Sequence, residues 1–194
     1  DAEYALDAGI ADETVADLSR FGDCRAVIVC TPLAIVRENV AKLASMYPDA
    51  VISDVGSVKG MLSGIPGRVI GGHPMAGTEK SGIRAARPRL LENAYYILTD
   101  YGGDGEALAY MKDVAAAAGA IPVTMSAEEH DKLVGKISHL VHMAAYSLVE
   151  SAMTGDETIV GTGFMDTTRI ASSSPEFWNT VASLNRANIV EDMD

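Results

Sequence analysis

The stretch AVIVCTPLAIVRENVAKLASM, residues 26–46, decides the fold. Ala26 to Cys30 is an unbroken apolar run of strand length, the pattern of a strand buried on both faces. Thr31–Pro32 stops it, and from Leu33 to Met46 the apolar residues Val36, Val40, Leu43 and Ala44 recur at helical spacing. The same cadence continues outward. Ala50–Ser53 reads as a strand ending at Asp54 and Gly56, and Val69–Ile70 as one that runs into Gly71–Gly72. Ala94–Leu98 is a further strand, Asp104–Ala118 a helix stopped by Gly119, and Ile121–Thr124 the last strand. Upstream, Asp1–Ala8 reads as a helix closed by Gly9 with no strand before it. Strands alternating with helices at this spacing predict an open α/β sheet with crossover helices.

At Ser126 the character changes. Ser126-Ala127-Glu128-Glu129 has the spacing of a capping box, and nothing breaks a helical pattern from there to Thr154–Gly155. A second helix is expected to begin at Ser174–Pro175. These signals divide the chain into an α/β part, residues 1–125, and an all-helical part, residues 126–194. At ~100° per residue, Leu133, Ile137, Leu140, Val141, Ala144 and Leu148 share an apolar face of the long helix. Asp131, Gly135, Ser138, His139, His142 and Tyr146 share the opposite face, which reads either as solvated or as a ligand surface. There the small Gly135 leaves room for a ligand.

The chain has 194 residues, 15 basic against 27 acidic, for a formal charge of −12. With 48% hydrophobic residues the composition is that of a folded chain. No run reaches the ~18 apolar residues of a membrane helix, and the acidity argues against nucleic acid or anionic lipid as a partner. Cys24 and Cys30 stand in no ligand or CxxC spacing, which points to a reducing cytoplasm and no structural zinc.

Two loops at strand ends concentrate polar chemistry, DVGSVKG at 54–60 and GGHPMAGTEKSG at 71–82. Ligands enter open α/β sheets at the carboxyl ends of strands. His73 can accept a proton at neutral pH or can be a packed turn residue. Ser57 can cap a short helix through Met61 and Leu62, or offer its hydroxyl to a ligand. Neighbouring strands would bring the two loops together, but without GxSxG the pair is no nucleophile elbow. His139 and His142, three apart, lack a third ligand for a metal. Arg169 offers a fork suited to a carboxylate, with Thr167, Thr168 and Ser172 available to hold it, or else forms a surface ion pair. Trp178 reads first as a packing anchor. The chain contains neither GxGxxG nor GxxxxGK[ST], so either it binds no dinucleotide or the phosphate-gripping portion lies upstream of Asp1.

Taken together, DVGSVKG, GGHPMAGTEKSG, KISHLVH (136–142) and DTTRIASSSPEFW (166–178) resemble the ordered motif set of prephenate dehydrogenases. The resemblance implies a Rossmann-like NAD(P)-binding domain, here without its N-terminal Gly-rich portion, followed by an all-α dimerisation domain, here cut short. It implies oxidative decarboxylation of prephenate to 4-hydroxyphenylpyruvate in tyrosine biosynthesis, with hydride passing to NAD, NADP being possible, in a homodimer built on the helical domain. Arogenate dehydrogenases share the motifs, and a catalytically silent association domain is a third reading. By resemblance, His73 accepts a hydrogen bond from the substrate ring hydroxyl and Ser57 supports it. Arg169 holds a substrate carboxylate, His142 and Ser138 lie on the substrate side, and Thr78 and Glu79 line the entrance. Thr31–Pro32, with Asp54, Val55 and Gly56, faces the cofactor. The chain departs from the family's SHLPH in having Val141 for a proline, and from its FRDTTR in having Met165 for an arginine.

Overall fold

The computed structural model describes residues 1–20, 22–77, 82–153 and 159–193. A short helix, α1 (Ala2–Asp7), ends before Gly9, whose φ of 64° suits a glycine. There follow β1 (Ala26–Val29), α2 (Leu33–Met46), β2 (Val51–Asp54), β3 (Val69–Pro74), β4 (Tyr95–Asp100), α3 (Gly105–Ala117) and β5 (Ile121–Thr124). The five strands stand in chain order, with β1–β2, β2–β3 and β4–β5 parallel.

The pair β3–β4 is antiparallel, with His73 opposite Ile97, a reversal that the strand-and-helix cadence does not predict. An antiparallel neighbour needs no crossover helix, and the connection between these strands carries only a 3-10 turn at Ile83–Ala85 among its described residues.

Successive residues of a strand face opposite ways, and the helices use this. Ile52 and Val69 pack with Val36, Val40, Leu43 and Ala44 of α2. Val51, Ile70, Tyr96 and Leu98 pack with Ala107, Met111 and Ala115 of α3, so the two helices cover opposite faces. α3 is fixed at its start by Asp104, whose carboxylate accepts from the Ala107 amide and pairs with Arg68. β1 corrects the expectation of burial on both faces. It is an edge strand paired only with β2 among the described residues, and Ile28 is 41% exposed.

The long helical run is present but not uniform. α4 (Ala127–Val134) opens on the expected capping box and leads through a π turn, Gly135–His139, into α5 (Leu140–Ala152). Among the described residues, α6 (Thr162–Thr168), α7 (Pro175–Leu184) and α8 (Arg186–Glu191) follow, and Ser174 caps α7 through the Phe177 amide. The run is inverted relative to a solvated polar face. His130, Asp131, Val134, Gly135 and His139 are buried, whereas Leu133, Val141 and Leu148 are exposed and Ile137 is 57% exposed. The polar stripe faces inward because its groups bond the loop after β2 and the α7–α8 junction. The room at Gly135 is also taken, since a Cβ there would lie 3.4 Å from Asn185 Nδ2 and from Asn188 Cβ.

Candidate active site

The site is built from a buried polar floor upward. Asp54, the last residue of β2, and Lys59 form an ion pair in which neither side chain is exposed. Lys59 also donates to the Gly72 carbonyl, while the Gly72 amide donates to Asp54 Oδ1 at 3.0 Å and the Gly56 amide to Asp54 Oδ2 at 2.8 Å. This approach explains the double glycine. A Cβ on Gly72 would stand 2.4 Å from the Asp54 carbonyl oxygen, and one on Gly71 would stand 2.7 Å from the Tyr101 hydroxyl. Burial pushes the Lys59 ammonium below its ordinary value, against the pull of Asp54. The Tyr101 hydroxyl donates to the Lys59 carbonyl at 2.6 Å, and burial drives that phenol far above its usual range.

From this floor the chain rises to His73, at the carboxyl end of β3. Its Nδ1 lies 2.7 Å from His130 Nε2, and His130 Nδ1 lies 2.7 Å from Asp131 Oδ1. Asp131 is bound from the other side by the amides of Lys59, at 2.7 Å on Oδ1, and Gly60, at 2.8 Å on Oδ2. Asn185 Nδ2 donates to the Asp131 carbonyl at 2.8 Å and to His139 Nδ1 at 2.9 Å, tying the α7–α8 junction to the same cluster. Burial lowers the pKa of His73 well below 6.5, with His130, Lys59 and His139 adding to the effect. Burial likewise brings His139 down to about 4. Both imidazoles are therefore neutral at pH 7.

Above His73 opens a cavity of about 1130 Å³ at the carboxyl ends of the parallel strands. His73, Ser57, Ser138, His142, Arg169, Pro32 and Val55 all line it, so residues predicted from five separate segments meet there. His142 Nδ1 donates to the Ser138 carbonyl at 2.9 Å, and its ring stacks on Trp178 with centroids 3.5 Å apart and planes 18° from parallel. Trp178 is thus both a packing anchor, buried with Leu33, Val58 and Val181, and part of the cavity wall.

Other assignments fall elsewhere. Thr31 does not line the cavity; its hydroxyl oxygen accepts from Nδ2 of Asn39, a residue of α2, at 3.1 Å. Asp54 and Gly56 lie beneath the wall rather than on it. Ser57 does not cap a helix, since the 3-10 turn Gly60–Leu62 starts at Lys59 without a side-chain cap. The hydroxyls near Arg169 do not hold its guanidinium: Thr167 and Thr168 donate to the Gly163 and Phe164 carbonyls, and Ser172 to the Arg169 carbonyl. Among the described residues the Arg169 guanidinium has no carboxylate partner, and it lines the cavity free to take one. Thr78 and Glu79 lie outside the described residues.

Sequence reading missed Lys59 and His130. No pattern in the chain marks a lysine that will be buried. The available signal for His130 was its neighbour Asp131, on the stripe that also carries Ser138 and His142.

A cavity at the carboxyl ends of parallel strands, walled on its far side by a helical module, defines the class: an α/β domain of the nucleotide-binding type joined to an all-α domain. The chain belongs to the prephenate dehydrogenase family. Residues 1–123 match the family model described as "Prephenate dehydrogenase, nucleotide-binding domain", and residues 126–194 the one described as "Prephenate dehydrogenase, dimerization domain". The chain is similar to the prephenate dehydrogenase of Bacillus subtilis, at 35% identity over 100% of this chain and 57% of that protein. It is also similar to the crystal structure of prephenate dehydrogenase from Aquifex aeolicus in complex with hydroxyphenyl propionate and NAD+. That match has 34% identity and a TM-score of 0.87, covering 99% of this chain and 72% of that one. Synechocystis arogenate dehydrogenase matches at 31% identity and a TM-score of 0.83, covering 99% and 74%. The chain spans about half the length of the curated relatives it matches.

Proposed function

We propose that the protein oxidatively decarboxylates prephenate to 4-hydroxyphenylpyruvate, with hydride transfer to NAD, as a step of tyrosine biosynthesis. The observation that carries this reading is the pairing, on one cavity, of an uncharged imidazole at His73 with a guanidinium fork at Arg169 that has no carboxylate partner among the described residues. A substrate with a ring hydroxyl and carboxylates needs such a pair. His73 accepts the hydroxyl proton as the carbinol carbon becomes a carbonyl, and Arg169 grips a carboxylate through two parallel N–H donors. A bound nicotinamide would supply the acceptor for the hydride released from that carbon. Loss of carbon dioxide from the quaternary ring carbon then returns its bonding pair to the ring and makes it aromatic. The residues on the wall fit the nicotinamide end of the cofactor: Pro32, Leu33, Ala34 and Val55 give an apolar surface beside His73. Thr31, Asp54 and Gly56 support this wall from behind, Ser57 aligns the reacting centre, and Ser138 and His142 bound the substrate side.

A homodimer through the helical part belongs to the same reading. It is supported by the exposed apolar face of Leu133, Ile137, Val141 and Leu148, and by the match of residues 126–194 to a dimerisation domain. Among the described residues no helix is long and apolar enough to cross a membrane. The free cysteines Cys24 and Cys30 fit a cytoplasmic enzyme.

Formation of NADH, recorded with the full-length protein and prephenate, tests the reading, with 4-hydroxyphenylpyruvate identified as product. The likeness to an arogenate dehydrogenase gives the second reading, the same reaction on the transaminated substrate. Turnover of arogenate and not prephenate would replace the first by the second, and substituting NADP for NAD reads the cofactor preference. No turnover with either substrate would leave a silent association protein.

A further inference from the structure

We infer that His130 and Asp131 act as positioning residues that fix the tautomer of His73 and present its Nε2 to the cavity as a hydrogen-bond acceptor. The inference rests on the reading of His73 given above and adds what sets its proton. Asp131 offers only acceptor oxygens, already met by the amides of Lys59 and Gly60, so the 2.7 Å contact with His130 Nδ1 requires that nitrogen to carry the hydrogen. A neutral His130 then has its lone pair on Nε2. Across 2.7 Å from it, His73 Nδ1 must be the donor, which leaves His73 Nε2 bare. Had the ring been free to choose, the other tautomer would place N–H against the substrate hydroxyl and abolish the acceptor.

Burial of His73, with Lys59 and His139 close by, favours its uncharged form. Lys59 and His139 face His73 from the loop after β2 and from the π turn, Asp54 neutralises Lys59, and Asp131 lies beyond His130. The rings meet edge to face, centroids 5.0 Å apart, with His130 completely buried, so no water competes for the contact. Protonating the His130–His73 pair would turn the contact round and convert His73 Nε2 into a donor. Turnover therefore depends on His73 keeping Nε2 bare.

The tautomer is read directly from long-range ¹H–¹⁵N spectra of the imidazoles at pH 7. Nδ1–H on both His73 and His130 is expected, and Nε2–H on His73 would overturn the inference whatever the enzyme's substrate. In kinetics, His130→Leu is expected to lower kcat by roughly a hundredfold, the low end of a positioned acid–base group, with KM for substrate and NAD little changed. His130→Gln, whose amide oxygen can accept from His73 Nδ1, is expected to recover most of that loss. Equal loss in the two variants with intact folding, or wild-type kcat in His130→Leu, would overturn the inference. If the spectra show the expected tautomers but the wild-type protein turns over neither prephenate nor arogenate, the positioning stands and the substrate reading fails.

Discussion

The ammonium of Lys59 lies 2.6 Å from Asp54 Oδ2, and both side chains are wholly excluded from solvent. The pair joins the end of β2 to the middle of β3 through Gly72, directly under His73. Its position makes the alignment of the two strand-end loops depend on a buried charge pair.

Removing one partner of such a pair leaves the other charge buried and uncompensated. Lys59→Met is expected to destabilise the fold by about 3–5 kcal/mol, seen as a lower urea midpoint. An unchanged midpoint would mean that water reaches Asp54.

Stability should also fall in acid, through His139 and His73. In the unfolded chain a histidine binds its proton near pH 6.5, whereas burial holds His139 at about 4 and His73 well below 6.5 in the fold. Below pH 6.5 the unfolded state thus binds more protons, and stability is lost as the pH drops through the interval down to about 4. His139 alone accounts for about 2 kcal/mol by pH 5. The melting temperature measured from pH 7 to pH 5 should decline accordingly, and a flat profile would show these rings already charged or solvated.

Much of this architecture is legible in local spacing. The capping box at Ser126 and Glu129, the helix starting near Asp104 and the strands either side of α2 all follow from contacts within a few residues. The antiparallel turn of β4 does not, since strand direction is decided by partners far along the chain. Nor does the orientation of α4 and α5. An apolar stripe such as Leu133–Ile137–Leu148 looks the same whether it faces its own core or another surface, and only the structure shows the polar stripe turned inward. The motifs located His73, Ser57, His142 and Arg169 on the cavity, but not the Asp131–His130 contact behind them, which depends on α4 docking against the loop after β2.

The exposed stripe gives a test of assembly. The wild-type protein is expected to sediment as a dimer at micromolar concentration, and Ile137→Lys, at a position 57% exposed, to sediment as a folded monomer. A wild-type monomer would contradict the proposed interface.

Arg169 gives a test of substrate binding. In a chain of net charge −12 an anionic substrate depends on a few well-placed cations, and this guanidinium has no carboxylate partner among the described residues. Arg169→Ala is expected to raise KM for prephenate while leaving KM for NAD nearly unchanged. A lost charge-assisted contact of about 2–3 kcal/mol corresponds to a fall of roughly thirty- to over a hundredfold in kcat/KM. Loss of cofactor affinity with prephenate affinity intact would move Arg169 to the dinucleotide side.

The central claim is that His73 accepts the hydroxyl proton as hydride leaves the carbon that bears that hydroxyl, and the most direct measurement is the rate of NADH formation from prephenate by His73→Asn. Asparagine keeps much of the shape of the side chain but cannot take up the proton. The account predicts a folded protein with kcat lower by roughly 10²- to 10⁴-fold and KM for NAD unchanged. A wild-type kcat in that variant would contradict it.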